Sequence, residues 1–147
     1  MAAVPIENPH ETVWLRRKWS VWLSLEEALL RGKGPPHEPG VYRLRASGSD
    51  CLLYIGEGGD VRRRLFNLRN AMKKVASGGR QGPPHWAGAC ILHHQRRGAA
   101  IEVSWLLEPV AAESERKGLE CEYIAAHRWA TGLNPECQFT ALARRQS

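Results

Sequence analysis

No apolar run in the chain reaches the 18 or so residues of a membrane-crossing helix, which excludes a span of that kind. The amino-terminal stretch MAAVPIENPHETVWLRRKW lacks the charged-then-apolar layout of a secretory signal, so the sequence predicts a soluble, cytoplasmic protein with no membrane partner. Cysteine is sparse. Cys51, Cys90, Cys121 and Cys137 are scattered, with no C-x-x-C and no tight pairing with the histidines, which predicts reduced thiols that mostly pack and argues against a zinc site. Neither an internal repeat nor a low-complexity tract occurs, so repeat architectures are excluded.

What is present suffices for one core. A chain of 147 residues with 43% hydrophobic content predicts a single domain. The net charge of +6 and pI of about 9.5 suit a polyanionic partner, either nucleic acid or an acidic membrane surface. Residues 1–39 read as a Trp-rich helical extension and linker, and 40–147 as the main domain. In the extension, Ser24 and Glu27 of SLEEALL form a capping box that opens a short helix. Trp14, Trp19 and Trp22 precede it, and two readings stand: a helix packing its apolar side on the core, or a substrate-contacting arm using Trp14, Arg16, Arg17 and Lys18. GKGPPHEPG, residues 32–40, is a linker by its glycine and proline content.

Two strands follow, GVYRLRA at 40–46 and CLLYIG at 51–56, with Tyr42 and Leu44 on the face opposite Val41 and Arg43. The short SGSD between them predicts an antiparallel hairpin. The chain then turns over Gly58 and Gly59, and Asp60 caps a helix whose Val61, Leu65, Leu68 and Met72 form a stripe towards the sheet. At 100° per residue Arg64 falls at the stripe's flank, whereas Arg62 and Arg63 point further away, towards solvent or a phosphate backbone. AAIEVSWLLEP at 99–109 alternates as a third strand and leads into a distal helix. The expected fold is α/β, a small antiparallel sheet of about three strands flanked by helices.

Gly40-Val41-Tyr42, then Tyr54-Ile55-Gly56, then Arg64 eight residues after that glycine, resemble the GIY-YIG nuclease family, whose name describes the two tripeptides. The stretch RKGLECEYIAAHRWATGLNPECQF, residues 116–139, resembles the family's distal helix and maps its metal-binding glutamate onto Glu120. The resemblance spans residues 40–139. It implies a DNA endonuclease that uses Mg²⁺, with Mn²⁺ as a substitute, and leaves 5′-phosphate and 3′-hydroxyl ends.

The chemistry suits these residue types. A tyrosine hydroxyl accepts or relays a water's proton if nearby cations make its phenolate less costly, the role for Tyr42 beside Arg64. A forked guanidinium suits phosphate oxygens, giving Arg64 a transition-state role. One carboxylate is enough for a Mg²⁺ that keeps most of its waters, the role for Glu120. Tyr54 positions water or phosphate by hydrogen bonding. Glu122 competes with Glu120 but projects from the opposite flank of the helix, so one of the two faces the site.

Several positions depart from the family pattern. Glu57 stands where many relatives have a basic or neutral polar residue, and Leu68 where several have a histidine or tyrosine. His85 in GPPHWAG is a candidate replacement proton relay, in a loop resembling one with a Pro-His pair in small stand-alone members; it reads equally as a loop histidine capping the next helix. His93 and His94 read as surface residues. Asn134 and Gln138 both remain candidates for the family's distal polar residue. Residues 73–98 read as a basic insertion around a Gly/Pro loop, either substrate-reading or solvated. Arg62, Arg63, Lys73 and Lys74 are the expected nucleic-acid contacts. Two functions fit: the endonuclease, or a nucleic-acid-binding module on the same fold with little or no catalysis. Single-stranded against duplex DNA, and monomer against dimer, stay open.

Overall fold

The alternation that sends Tyr42 and Leu44 to one side of a strand and Val41 and Arg43 to the other sets the layering of the molecule. The computed structural model describes residues 6–80, 82 and 85–139. In chain order the elements are strands β1 (Val13–Trp14), β2 (Arg17–Lys18) and β3 (Leu23–Ser24), helix α1 (Leu25–Ala28), strands β4 (Gly40–Ala46) and β5 (Tyr54–Gly58), helices α2 (Val61–Ala76) and α3 (Gly88–Arg96), strand β6 (Ile101–Trp105) and helix α4 (Glu113–Thr131). The main sheet has the order β3-β6-β4-β5 with every pairing antiparallel. It is the expected α/β arrangement with one strand more than expected, because Leu23 and Ser24 pair with Val103 and Glu102 at the sheet edge.

One apolar layer lies between the sheet and α2 and α3: Tyr42, Leu44 and Leu53 meet Val61, Leu65, Leu68, Met72 and Ile91. The other face carries Val41, Leu52 and Ile55 against Leu119, Tyr123 and Ile124 of α4, with Trp14 and Trp19. The α2 stripe faces the sheet as its spacing predicts, and the Asp60 side chain caps the helix by accepting from the Arg63 N–H. No helix among the described residues is long and apolar enough to cross a membrane.

Three local expectations are corrected. First, residues 13–31 are helical only over α1, where Ser24 accepts from the Glu27 N–H at 3.1 Å. The tryptophans instead enclose a buried arginine. The Arg43 guanidinium sits 4.5 Å from the ring centroids of both Trp19 and Trp22, and it donates to the carbonyls of Pro9 and Glu11. An inward-pointing cation needs π faces and carbonyls around it, and the leader supplies both. Second, β5 begins at Tyr54 and runs through Gly58, rather than covering 51–56 and breaking at Gly56. The carbonyls of Leu52 and Leu53 accept from Glu136 and Cys137, so a carboxy-terminal segment lies along this edge. Third, Cys90 and Cys137 form a disulfide, although the sequence predicts reduced thiols; they stand 47 residues apart and meet only because α3 packs beside that segment. Helix α3 itself lies inside the stretch read as a Gly/Pro insertion.

Candidate active site

Tyr42 lies directly across the sheet from Gly56, and this pairing explains the glycine. A Cβ at position 56 would stand 2.5 Å from Cζ and Oη of Tyr42 and 2.7 Å from Cε1 of Tyr54. The two rings pass over the bare backbone, with centroids 6.1 Å apart. Gly58 serves the arginine in the same way, since a Cβ there would meet Cγ of Arg64 at 2.6 Å. Arg64 leaves the first turn of α2, passes over Gly58 and hydrogen-bonds the hydroxyls of both tyrosines.

His85 closes the group from the loop before α3. It is buried, with Nε2 2.9 Å from Tyr42 Oη and its ring 5.2 Å from that of Tyr54. Its Nδ1 accepts from the Ala87 N–H at 3.3 Å. That contact assigns the neutral ring's proton to Nε2, so His85 donates to the tyrosine oxygen. Burial, reinforced by the Arg64 charge, pulls its pKa down to about 3. In this tautomer His85 offers the Tyr42 oxygen a hydrogen-bond donor rather than an acceptor. The capping alternative also holds in part, through Ala87. The preceding Pro84 of the Pro-His pair lies outside the described residues.

Glu120 comes from α4. Its carboxylate accepts from the backbone N–H of Glu57 and lies close enough to both tyrosines to raise their pKa values. Glu122 is exposed on the other flank. Burial first, and then the Glu57 charge, push the Glu120 pKa up to about 7 against the opposing pull of Arg64 and Lys117. Burial also lifts Tyr54 above its usual value and Tyr42 well above it. Arg64 acts on Tyr42 in the expected direction, but desolvation outweighs it in the protein alone.

The arginine triplet divides differently from its helical-wheel reading. Arg62, expected on the phosphate-facing side, donates to the carbonyls of Ala28, Leu29, Leu30 and Lys33 at 2.7–3.2 Å. It braces the end of α1 and the linker, which occupies the fork a phosphate would need. Arg63, Lys73 and Lys74 are exposed.

Supporting contacts surround the cluster. Glu57 forms an ion pair with the largely buried Arg116 at 2.9 Å, and Arg116 also donates to the Val110 and Ala111 carbonyls, tying β5 to the start of α4. Sequence reasoning missed Arg116; its place on α4 one turn before Glu120 was the available signal. Gln138 accepts from the Ile55 N–H at 2.8 Å and donates to the Ile55 carbonyl at 2.7 Å, holding the backbone between Tyr54 and Gly56. Asn134 instead accepts from Arg128. Between the two distal candidates, Gln138 is the one that touches the strand. Leu68 is fully buried core.

No protein-family model matches the chain and no curated protein matches it. Among solved structures, the chain is similar to the GIY-YIG N-terminal endonuclease domain of UvrC from Thermotoga maritima bound to its catalytic divalent cation, magnesium, with 23% identity over 77% of this chain and 93% of that one and a TM-score of 0.45. A point mutant of that domain, also bound to its catalytic divalent cation, is similar at 22% identity over 77% and 92% of the two chains, again with a TM-score of 0.45.

Proposed function

We propose that the protein is a metal-dependent endonuclease of the GIY-YIG type that hydrolyses DNA phosphodiesters with water activated at Tyr42, leaving 5′-phosphate and 3′-hydroxyl ends. The observation that carries this reading is the convergence of Tyr42, Tyr54, Arg64, His85 and Glu120, from four separate elements and a loop, around a glycine with no room for a side chain. Packing alone asks for no such set. A half-buried carboxylate, two phenols and a guanidinium in mutual reach are the groups that phosphoryl chemistry uses.

The donor chemistry at Glu120 fits Mg²⁺, with Mn²⁺ as a substitute: a hard oxygen ligand whose charge is disfavoured by burial and by Glu57, while Glu57 itself is offset by Arg116. When bound, such an ion supplies charge stabilisation to phosphate oxygens and lowers the pKa of its waters. The chain's own residues do the rest. Hydrogen bonds donated to Tyr42 Oη by His85 and Arg64 favour the phenolate, so this oxygen takes the water's proton as attack proceeds. Arg64 offsets charge on the phosphate, Tyr54 orients the reacting groups, and Arg63, Lys73 and Lys74 contact the nucleic-acid backbone.

One observation favours the second reading, a nucleic-acid-binding module with weak or no catalysis: Tyr42 is fully buried, and its phenolate is costly in the protein alone. Incubation of single-stranded and duplex DNA with the protein, in Mg²⁺ or in chelator, separates the two. The endonuclease reading expects products in Mg²⁺ only; binding with no product in either condition supports the module.

A further inference from the structure

Away from the tyrosine cluster, four side chains with metal-binding chemistry meet where α3 packs on the carboxy-terminal segment. Cys90 and His94 stand one helical turn apart on α3, and Glu136 and Cys137 are adjacent on the segment opposite. Sγ of Cys90, Sγ of Cys137 and a ring nitrogen of His94 all lie within 4.8 Å of one another. Nε2 of His94 is 3.0 Å from Oε2 of Glu136. Cys137 is buried, while Cys90 and His94 are half-buried, so the group is sheltered yet reachable.

We propose that Cys90, Cys137, His94 and Glu136 form a structural Zn²⁺ site in the reduced protein, with the Cys90–Cys137 disulfide as its oxidised, metal-free form. Two thiolates, an imidazole and a carboxylate are a tetrahedral donor set suited to Zn²⁺. Donors bound at ordinary zinc distances sit about 3.3–3.8 Å apart, so the Cys90, His94 and Cys137 donors, already within 4.8 Å of one another, close by side-chain adjustment, and Glu136 joins them from its 3.0 Å contact with His94. The interconversion balances. Two equivalents of a monothiol reductant give two electrons to the disulfide, yielding two cysteine thiols and the reductant's own disulfide. Zn²⁺ then displaces both thiol protons to solvent. Oxidation removes two of the four ligands and leaves only the His94–Glu136 contact, which does not hold the ion.

Both forms staple the same two elements. The loop leading into α3 carries His85 onto Tyr42, and the segment carries Gln138 onto Ile55, so the staple sits behind both flanks of the tyrosine pair. A reducing compartment is where the zinc form applies, because disulfides do not persist there.

The test uses the full chain reduced with a phosphine under anaerobic conditions and titrated with Co²⁺ as a spectroscopic probe, then with Zn²⁺. The expected result is one equivalent of tetrahedral Co²⁺ with thiolate charge-transfer absorption, bleached by Zn²⁺, and a higher melting temperature with Zn²⁺ in the reduced but not the oxidised protein. Cys90→Ser or Cys137→Ser removes the charge-transfer band, His94→Ala weakens binding about 10- to 100-fold, and Cys51→Ser with Cys121→Ser changes nothing. Because Cys137 is buried and its variant can misfold, native mass spectrometry of the reduced wild-type protein provides a second readout, an added mass of one zinc that disappears on oxidation. Absence of the charge-transfer band, no zinc adduct, or a band that survives Cys90→Ser overturns the proposal.

Discussion

The hydroxyl oxygen of Tyr42 lies 2.9 Å from Nε2 of His85, and neither residue has appreciable contact with solvent. The pair joins the middle of the sheet to a loop 43 residues away, and the Ala87 N–H on Nδ1 fixes the direction of the bond. In the folded protein near neutral pH, His85 is thereby a neutral donor to Tyr42.

That assignment makes the pH dependence of folding specific. His85 is neutral in the folded protein down to about pH 3, whereas an unfolded histidine protonates near its usual value of 6.5. Below that value the unfolded chain binds the extra proton, so stability is retained above pH ~6.5 and lost as pH falls from there towards 3. Thermal melts between pH 7 and 4 should show this loss. His85→Gln should flatten it, although the variant starts less stable. Cleavage by the wild-type protein should show no inflection assignable to His85 between pH 5 and 8, as a titration of the reaction against pH will read.

Glu120 has the opposite sign. Its folded pKa of about 7 lies above the carboxyl's usual value of 4.5, so the folded state holds the proton longer and ionised Glu120 destabilises the metal-free protein as pH rises from 4.5 through 7. Glu120→Gln should therefore melt higher than wild type at pH 8 in chelator and show no such advantage at pH 4.5. The same variant should lose Mg²⁺-dependent cleavage by at least about 100-fold while DNA affinity stays near wild type. Glu122→Ala should be mild, and a dead Glu122→Ala variant would reverse the helix register assigned here.

The arginines divide into a brace, Arg62, and a proposed phosphate contact, Arg63. Arg62→Ala should lower the melting temperature, because it frees the carbonyls of Leu29 and Leu30 and undoes the linker, and should leave the salt dependence of DNA binding unchanged. Arg63→Ala, Lys73→Ala and Lys74→Ala should each flatten the log–log salt slope by about 0.7–0.9 with little effect on melting. Binding isotherms at several salt concentrations check both halves. A slope altered by Arg62→Ala alone would restore that residue to the DNA surface.

Strand β4, helix α2 and helix α4 were legible because each declares itself by period: two for Gly40–Ala46, and 3.6 for the Val61-Leu65-Leu68-Met72 stripe and the Leu119-Tyr123 stripe. The proximity of Tyr42, Tyr54, Arg64 and Glu120 could be anticipated only from the paired tripeptides, since periodicity does not say which polar groups converge. Helix α3 was hidden because Gly78, Gly79, Gly82 and Gly88 surround its start and the residue at its N-cap, Ala87, has no polar side chain; Gly88 is there for contact, a Cβ being 2.9 Å from that of Ala71. The leader was misread because Arg43 does not announce itself as core, so nothing local told the tryptophans what to enclose. The roles of Arg62, Gln138 and the Cys90–Cys137 bond depend on partners 25 or more residues away, which no local window contains.

Single-turnover cleavage of DNA in Mg²⁺ at saturating enzyme, comparing Tyr42→Phe with Tyr54→Phe, tests the centre most directly. Each change deletes one hydroxyl and keeps the ring, so DNA affinity should stay close to wild type for both; Tyr42→Phe leaves the buried His85 Nε2–H without its acceptor and should melt lower, by a cost of about 1–3 kcal/mol, so rates are compared well below both melting temperatures. Loss of the proton acceptor predicts a rate lower by about 10²- to 10⁴-fold for Tyr42→Phe, whereas loss of a positioning hydrogen bond worth ~1 kcal/mol predicts only a several-fold drop for Tyr54→Phe. A Tyr42→Phe protein that cleaves as fast as wild type, or a larger loss at Tyr54, would contradict the assignment of Tyr42 as the group that activates water.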